Sequence, residues 1–225
     1  MKYYPICLQV EGRRCLVIGG GKVAERKVRG LLESGACVVV ISPEVTAGLL
    51  RLQAEGKIGW EPRGYRQNDV SGFFLVMAAT DDRGVQDQVQ TDADRHQILL
   101  NVADVPEKCT FILPALVKRG ALSIAISTSG KSPALAKRLR RELEVSIGQD
   151  YELLTEAMGL IRPFILQWNL PQAENEKIFQ GLVDGEILEL VKRRDCPGLQ
   201  TYLERGLKKE LPIELAQQLK KLLLQ

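Results

Sequence analysis

The chain has 225 residues, with 31 Lys and Arg against 28 Asp and Glu, a formal net charge of +3, and 45% hydrophobic and 26% charged side chains. Those proportions are ordinary for a globular protein and exclude a disordered, collagen-like or low-complexity chain. The length allows one large domain or two small ones, and the longest apolar run, from Phe73 to Ala79, is far short of the ~20 residues of a membrane-spanning helix.

Met1-Lys2-Tyr3-Tyr4-Pro5 lacks the apolar run and cleavage site of a secretory leader. Cys7, Cys15, Cys37, Cys109 and Cys196 are scattered, odd in number and form no CxxC pair. Free thiols in a reducing compartment fit that pattern, so a cytoplasmic location is expected, without a zinc knuckle.

Arg13 to Ile18 reads as a strand stopping at three glycines, and Val23 to Ser34 as a helix with Val23, Val28, Leu31 and Leu32 on one stripe. Cys37 to Ile41 is a Val-rich strand cut by Ser42-Pro43, Thr46 to Glu55 a helix, and Gly59-Trp60 part of a short strand. Phe73 to Ala79 reads as a buried strand, Asp82 to His96 as a helix and Ile98 to Val102 as a strand. Continuous apolar strands alternating with helices predict an α/β fold with a parallel sheet covered on both faces. After Pro106, short strands are expected at Phe111–Leu113, Val117–Arg119 and Leu122–Ser127. Ser132 should cap a helix with Pro133 at its first position, running to about Ile147. Beyond Asp150 the apolar spacing is helical and broken at Pro163, Pro171, Pro197 and Pro212, predicting four or five helices. The expected domains are 1–112, 113–148 and 149–225.

Gly19-Gly20-Gly21-Lys22-Val23-Ala24 matches G-x-G-x-x-A between a strand and a helix. Gly19 would permit the tight turn, Gly21 the approach of a pyrophosphate to the helix N-terminus, and Ala24 close helix–strand packing. The acidic residue expected at the end of the second strand is replaced by Ser42-Pro43, with Glu44 beyond; no Arg follows Ser42 closely to receive a 2′-phosphate, which favours NAD over NADP. Thr80, in Ala78-Ala79-Thr80-Asp81-Asp82, is a candidate to line the cofactor, and Thr80 or Asp81 to cap the next helix. Asp104 ends Asn101-Val102-Ala103-Asp104 at the carboxyl edge of the sheet, as a general base, a metal-contacting oxygen or a turn residue before Pro106. The single His96 supports neither an imidazole metal site nor a Ser-His-Asp arrangement, and no metal ligands are assigned. Cys109 reads as an inert thiol.

These stretches, with Tyr4-Pro5-Ile6-Cys7-Leu8, Glu25-Arg26-Lys27, Phe111-Ile112-Leu113-Pro114-Ala115 and Ile126-Ser127-Thr128-Ser129-Gly130-Lys131-Ser132-Pro133-Ala134-Leu135-Ala136, resemble the precorrin-2 dehydrogenase/sirohydrochlorin ferrochelatase family, the N-terminal half of bacterial sirohaem synthase and its free-standing homologues. Order and spacing agree to about Leu143. The resemblance implies a Rossmann-type domain, a short β-rich dimerisation segment exchanged within a homodimer, and a helical domain. It implies NAD-dependent oxidation of precorrin-2 to sirohydrochlorin, followed in some members by Fe²⁺ insertion in the same cleft. Asp104 matches the family's key aspartate. It places dinucleotide contacts on Gly21, Lys22, Val23, Ser42, Pro43 and Thr80; with Gly19 and Ala24 these make the expected cofactor site, and Asn101, Thr128, Ser129, Lys131 and Ser132 are the expected substrate-binding residues. Thr128 stands where many members carry Ser. A non-enzymatic nucleotide-sensing or tetrapyrrole-binding module is the competing reading.

The charge is unevenly placed. Residues 1–110 are neutral with 14 basic and 14 acidic side chains, whereas residues 111–150 carry seven basic and three acidic ones. Lys131, Lys137, Arg138, Arg140 and Arg141 form a basic stretch too short, and too poor in aromatics, for nucleic acid. An octa-anionic precorrin-2 fits it better.

Overall fold

Strand β1 (Arg14–Ile18) sends Cys15 and Val17 to one side of a sheet and Leu16 and Ile18 to the other, and all four are buried. A strand apolar on both faces needs cover on both, which parallel crossovers supply. The computed structural model, which describes residues 2–224, contains that arrangement. The elements that follow are α1 (Lys22–Glu33), β2 (Cys37–Ile41), α2 (Ala47–Ala54), β3 (Ile58–Glu61), β4 (Leu75–Ala78), α3 (Arg83–His96) and β5 (Leu99–Val102). The five strands are all parallel, in the order β3-β2-β1-β4-β5. Ala24, Val28 and Leu31 of α1 and Leu49 and Leu52 of α2 cover the Cys15–Val17 face; Val89 and Ala93 of α3 cover the other. The chain builds outward from β1 to β3, then returns to place β4 on β1's far side. The carboxyl ends of β1 and β4 therefore flank a topological switch point, where open α/β sheets bind ligands.

The chain divides into two units, Met1–Leu113 and Pro114–Gln225. In the second, β6 (Ala115–Arg119) and β7 (Leu122–Ile126) form an antiparallel hairpin. Its turn uses Gly120 at φ +55°, where an added Cβ would also meet Glu152 Cγ at 2.6 Å. Helix α4 (Pro133–Ser146) starts at Ser132, whose hydroxyl accepts from Leu135 N at 3.2 Å. Arg119 donates to the carbonyls of Glu144 and Ile147, both at 2.8 Å, a cation placed on a helix C-terminus. Helices α5 (Asp150–Leu166), α6 (Gln172–Val183), α7 (Ile187–Lys192), α8 (Cys196–Leu207) and α9 (Ile213–Leu223) enclose a separate core that includes Ile161, Ile165, Leu203 and Leu219.

Four expectations need correction. Phe111–Leu113 is not a strand; Thr110 and the Phe111 carbonyl bond instead to Leu100 and Asn101, fastening this segment beside β5. Pro163 lies inside α5 rather than ending it: Pro163 and Gly159 are both exposed, so the carbonyl that loses its partner faces solvent while Ile161 and Ile165 stay in the core. The stripe of α1 is centred on Ala24, Val28 and Leu31, leaving Val23 exposed at the helix start. The cap of α3 is Asp82, which accepts from Val85 N at 3.1 Å; neither Thr80 nor Asp81 takes that place. Among the described residues no helix is long and apolar enough to cross a membrane.

Candidate functional site

The turn after β1 shows why three glycines stand together. Gly19 has φ +112°, and an added Cβ would lie 2.2 Å from the Ala79 carbonyl oxygen beyond β4. A Cβ on Gly20 would lie 1.9 Å from the Glu44 carbonyl oxygen beyond β2. Gly21 differs: its φ is −79°, and an added Cβ meets no protein atom within 4 Å. The fold demands the first two glycines, whereas only a ligand coming close would demand the third. Gly21 is also the N-cap of α1 and offers no side-chain acceptor to the first-turn amides. Uncapped N–H groups at the positive end of a helix dipole can receive a pyrophosphate. Gly21, Lys22 and Val23 are exposed there, while Ala24 is fully buried and acts through helix–sheet packing.

The wall beyond β2 is held to this turn. Thr46 N donates to Gly20 O at 2.9 Å, and Ser42 Oγ donates to Glu44 O at 2.7 Å. Trp60 Nε1 donates to Ser42 O at 3.0 Å. Ser42 is thus buried and already engaged, leaving Pro43 and Glu44 exposed. Glu25 accepts from Thr46 Oγ1 at 2.6 Å and from Arg29. The Thr46 bond first, then Arg29, holds its carboxyl below the usual range. On the other flank Thr80 is half-buried; its carbonyl accepts from Gln86 Nε2 at 2.7 Å and its hydroxyl from Asp82 N at 3.2 Å.

Asp104 stands exposed just beyond β5 in the left-handed region, φ +59°. Beneath it, Lys27 Nζ donates to Asn101 Oδ1 at 2.6 Å, and Asn101 Nδ2 donates to Phe111 O at 3.1 Å. Cys109 Sγ accepts from Val102 N at 3.2 Å and lies 3.3 Å from the carbonyls of Val102 and Val105. Burial lowers the proton affinity of Lys27, Arg26 adds to that, and Cys109 and Asp104 oppose it. Asn101 is therefore buried and bonded on both sides of its amide. Lys27 and Glu25 had no assigned role in the sequence reading. Their signal is helical spacing: Lys27 falls beside the buried stripe of Ala24, Val28 and Leu31, an unusual place for a lysine.

In the second unit, the turn after β7 is built by its own hydroxyls. Thr128 Oγ1 accepts from Ser132 N at 3.0 Å and Ser127 Oγ from Ser129 N at 3.1 Å. Ser129 and Gly130 adopt φ +53° and +81°, leaving Ser129 and Lys131 exposed and Thr128 and Ser132 half-buried. On α4, Arg138 pairs with Glu142 and Arg140 with Glu144. His96 ends α3 with Nε2 3.3 Å from Asn68 Oδ1. Among the described residues no group of three or more His, Cys, Asp or Glu could hold a metal ion.

A parallel sheet with a glycine turn and an uncapped helix start at its switch point defines a Rossmann-type NAD(P)-binding domain. Residues 6–115 match a family model described as putative NAD(P)-binding, and residues 119–146 match one described as sirohaem biosynthesis protein central. The siroheme synthase of Azotobacter vinelandii is 38% identical over 214 residues, covering 94% of this chain and 45% of that protein. That of Methylococcus capsulatus is 38% identical, covering 84% and 40%. The chain therefore spans about half the length of these curated relatives. Among solved structures, SirC, a precorrin-2 dehydrogenase, superposes with a TM-score of 0.76 at 29% identity, covering 92% of this chain and all of that one. The chain is thus similar over nearly its whole length to siroheme synthases and to a precorrin-2 dehydrogenase, and its two matched segments carry an NAD(P)-binding and a sirohaem-biosynthesis family model.

Proposed function

We propose that this protein oxidises precorrin-2 to sirohydrochlorin with NAD. The observation that carries the reading is the match to SirC over the whole of that chain. In this reading the first-turn amides of α1 and residues Gly19, Gly21, Lys22, Val23 and Ala24 hold or shape the dinucleotide site, with Ser42, Pro43 and Thr80 as its walls. The open space at Gly21 supports that fit. The nicotinamide, when bound, accepts a hydride. Asp104 acts as the base that takes the proton released from the substrate carbon, a role its exposure at the carboxyl edge of β5 supports. Lys131 and Ser129, with Thr128 and Ser132 shaping their turn, are assigned to the substrate, whose carboxylates the basic segment would attract, and in the first unit Asn101 is assigned to it as well. The preference for NAD rests on Ser42-Pro43-Glu44, which supplies no cation for a 2′-phosphate.

The domain boundaries near 112 and 148, a homodimer formed through the hairpin, and a cytoplasmic location belong to the same proposal. The half-exposed Leu116 on a two-stranded sheet supports the dimer, and the five free cysteines support a reducing compartment. The test is anaerobic oxidation of precorrin-2 with NAD and NADP side by side. Reduced NAD should accumulate faster than reduced NADP. Binding of NAD without turnover would favour the non-enzymatic module instead. Sirohydrochlorin supplied with Fe²⁺ or Co²⁺ tests iron insertion separately, by the appearance or absence of a metallated spectrum.

A further inference from the structure

Lys27 is not needed to hold the dinucleotide or to take the proton, yet its ammonium group is placed where burying it is costly. It lies half-buried beside the inward stripe of α1 and reaches Asn101 Oδ1 at 2.6 Å. A methionine would fill much the same space without desolvating a charge, so packing alone gives no reason for a cation. What the cation does have is Asn101, only 7% exposed, whose Nδ2 grips Phe111 O. Phe111 is the far end of the loop that leaves β5 at Val102 and returns beside it. Thr110 closes the same loop through N to Leu100 O at 2.9 Å, and Cys109 Sγ sits inside it against the carbonyls of Val102 and Val105. Asp104 is the second residue of this loop and adopts the left-handed conformation, φ +59°.

We propose that Lys27 is a positioning residue: by fixing the amide of Asn101 it clamps the loop of residues 103–111 and so sets where the Asp104 carboxylate stands. The inference rests on the reading of Asp104 as the base in precorrin-2 oxidation. The clamp depends on charge as well as shape, because an ammonium donor makes a stronger bond to the amide oxygen than a neutral amine does. The ionisable groups facing Lys27 are Arg26 from its own helix and Cys109 and Asp104 from the loop.

The test compares wild type, Lys27→Met and Lys27→Arg in the full chain, with two readouts. The first is steady-state oxidation of precorrin-2 across pH. Lys27→Met should lower kcat by about tenfold or more while KM for NAD changes by less than about twofold, the scale of a lost supporting contact. Lys27→Arg should recover most of the rate. Wild-type kcat should decline on the alkaline side below the ordinary lysine value of about 10.4, as Lys27 loses its proton, and this limb should move to higher pH in Lys27→Arg. The second readout is the alkylation rate of Cys109, followed by mass spectrometry at one pH, which should rise in Lys27→Met and stay near wild type in Lys27→Arg. Wild-type kcat and Cys109 protection in Lys27→Met would overturn the proposal, as would equal impairment of the two variants. If wild type produces no reduced NAD, the dehydrogenase reading falls on its own, and the Cys109 rates still decide whether Lys27 clamps the loop.

Discussion

The Cβ that Gly19 lacks would lie 2.2 Å from the carbonyl oxygen of Ala79, so the turn after β1 and the turn after β4 touch backbone to backbone. Gly19→Ala must push these turns apart and also hold alanine at φ +112°. It should destabilise the first unit by about 3 kcal/mol and weaken dinucleotide binding with it. Gly21→Ala meets no protein atom and no unfavourable φ and costs only the difference between two N-cap residues, so its melting temperature should fall far less than that of Gly19→Ala while affinity for NAD falls about tenfold. Thermal denaturation paired with a fluorescence titration of reduced NAD separates the two. Equal loss of stability in both variants would remove the distinction between a glycine required by the fold and one required by the ligand.

Asp104 at φ +59° makes the choice of substitution matter. Asparagine tolerates the left-handed region, whereas alanine adds backbone strain of about 1 kcal/mol. Asp104→Asn should therefore keep the loop and lose only the base. Precorrin-2 oxidation should drop by about two to four orders of magnitude with NAD binding unchanged. Turnover within a few fold of wild type would take the general-base role away from Asp104.

Much of the first unit was legible because its signals are local. A Val-rich strand and a glycine turn each announce themselves within a few residues, and β2 runs from Cys37 to Ile41 as read. Two of the corrections rest on surroundings that the neighbouring sequence does not show. Phe111–Leu113 has the composition of a strand, but its neighbours along the chain do not reveal that Asn101 takes its carbonyl. Pro163 breaks the helical pattern by rule, and only the exposure of Gly159 and Pro163 shows why the helix continues. The cluster of Lys27, Asn101 and Cys109 combines positions 74 residues apart in its first bond. The one trace it leaves in the sequence is a lysine beside an inward helical stripe.

Asp92 is the buried carboxylate to which pH should couple stability. It is 2% exposed and accepts from Tyr65 OH at 2.6 Å and Asn68 N at 2.8 Å. Burial pushes its carboxyl up, but the bonds from Tyr65 and Asn68 and the charges of Arg95 and His96 outweigh that and hold it below the usual range. A depressed folded value means the stabilisation is present above about pH 4, the unfolded carboxylate's range, and is lost as pH falls toward the folded value. Tyr65→Phe should cost about 2 kcal/mol at neutral pH, the worth of a hydrogen bond to a charged acceptor. The gap between variant and wild type should narrow in urea titrations carried out progressively below pH 4. A gap independent of pH would mean the tyrosine contributes packing rather than a bond to the carboxylate.

Pro163 offers the opposite kind of test, a position where the second unit can gain. Its ring interrupts α5 between Ile161 and Ile165, both fully buried, so the helix is held by its inward face and not by an unbroken hydrogen-bond ladder. Alanine at 163 would give the Gly159 carbonyl a helical donor and replace the worst interior helix former with the best. The same change also frees the unfolded chain, which offsets part of the gain. The net should be a stabilisation of about 1 kcal/mol for Pro163→Ala, seen as a higher melting temperature for the transition that reports the helices, with precorrin-2 turnover unaltered. A lower melting temperature would mean that the geometry imposed by Pro163 is itself required for Phe164 and Trp168, whose rings meet edge to face at 5.3 Å in the following turn.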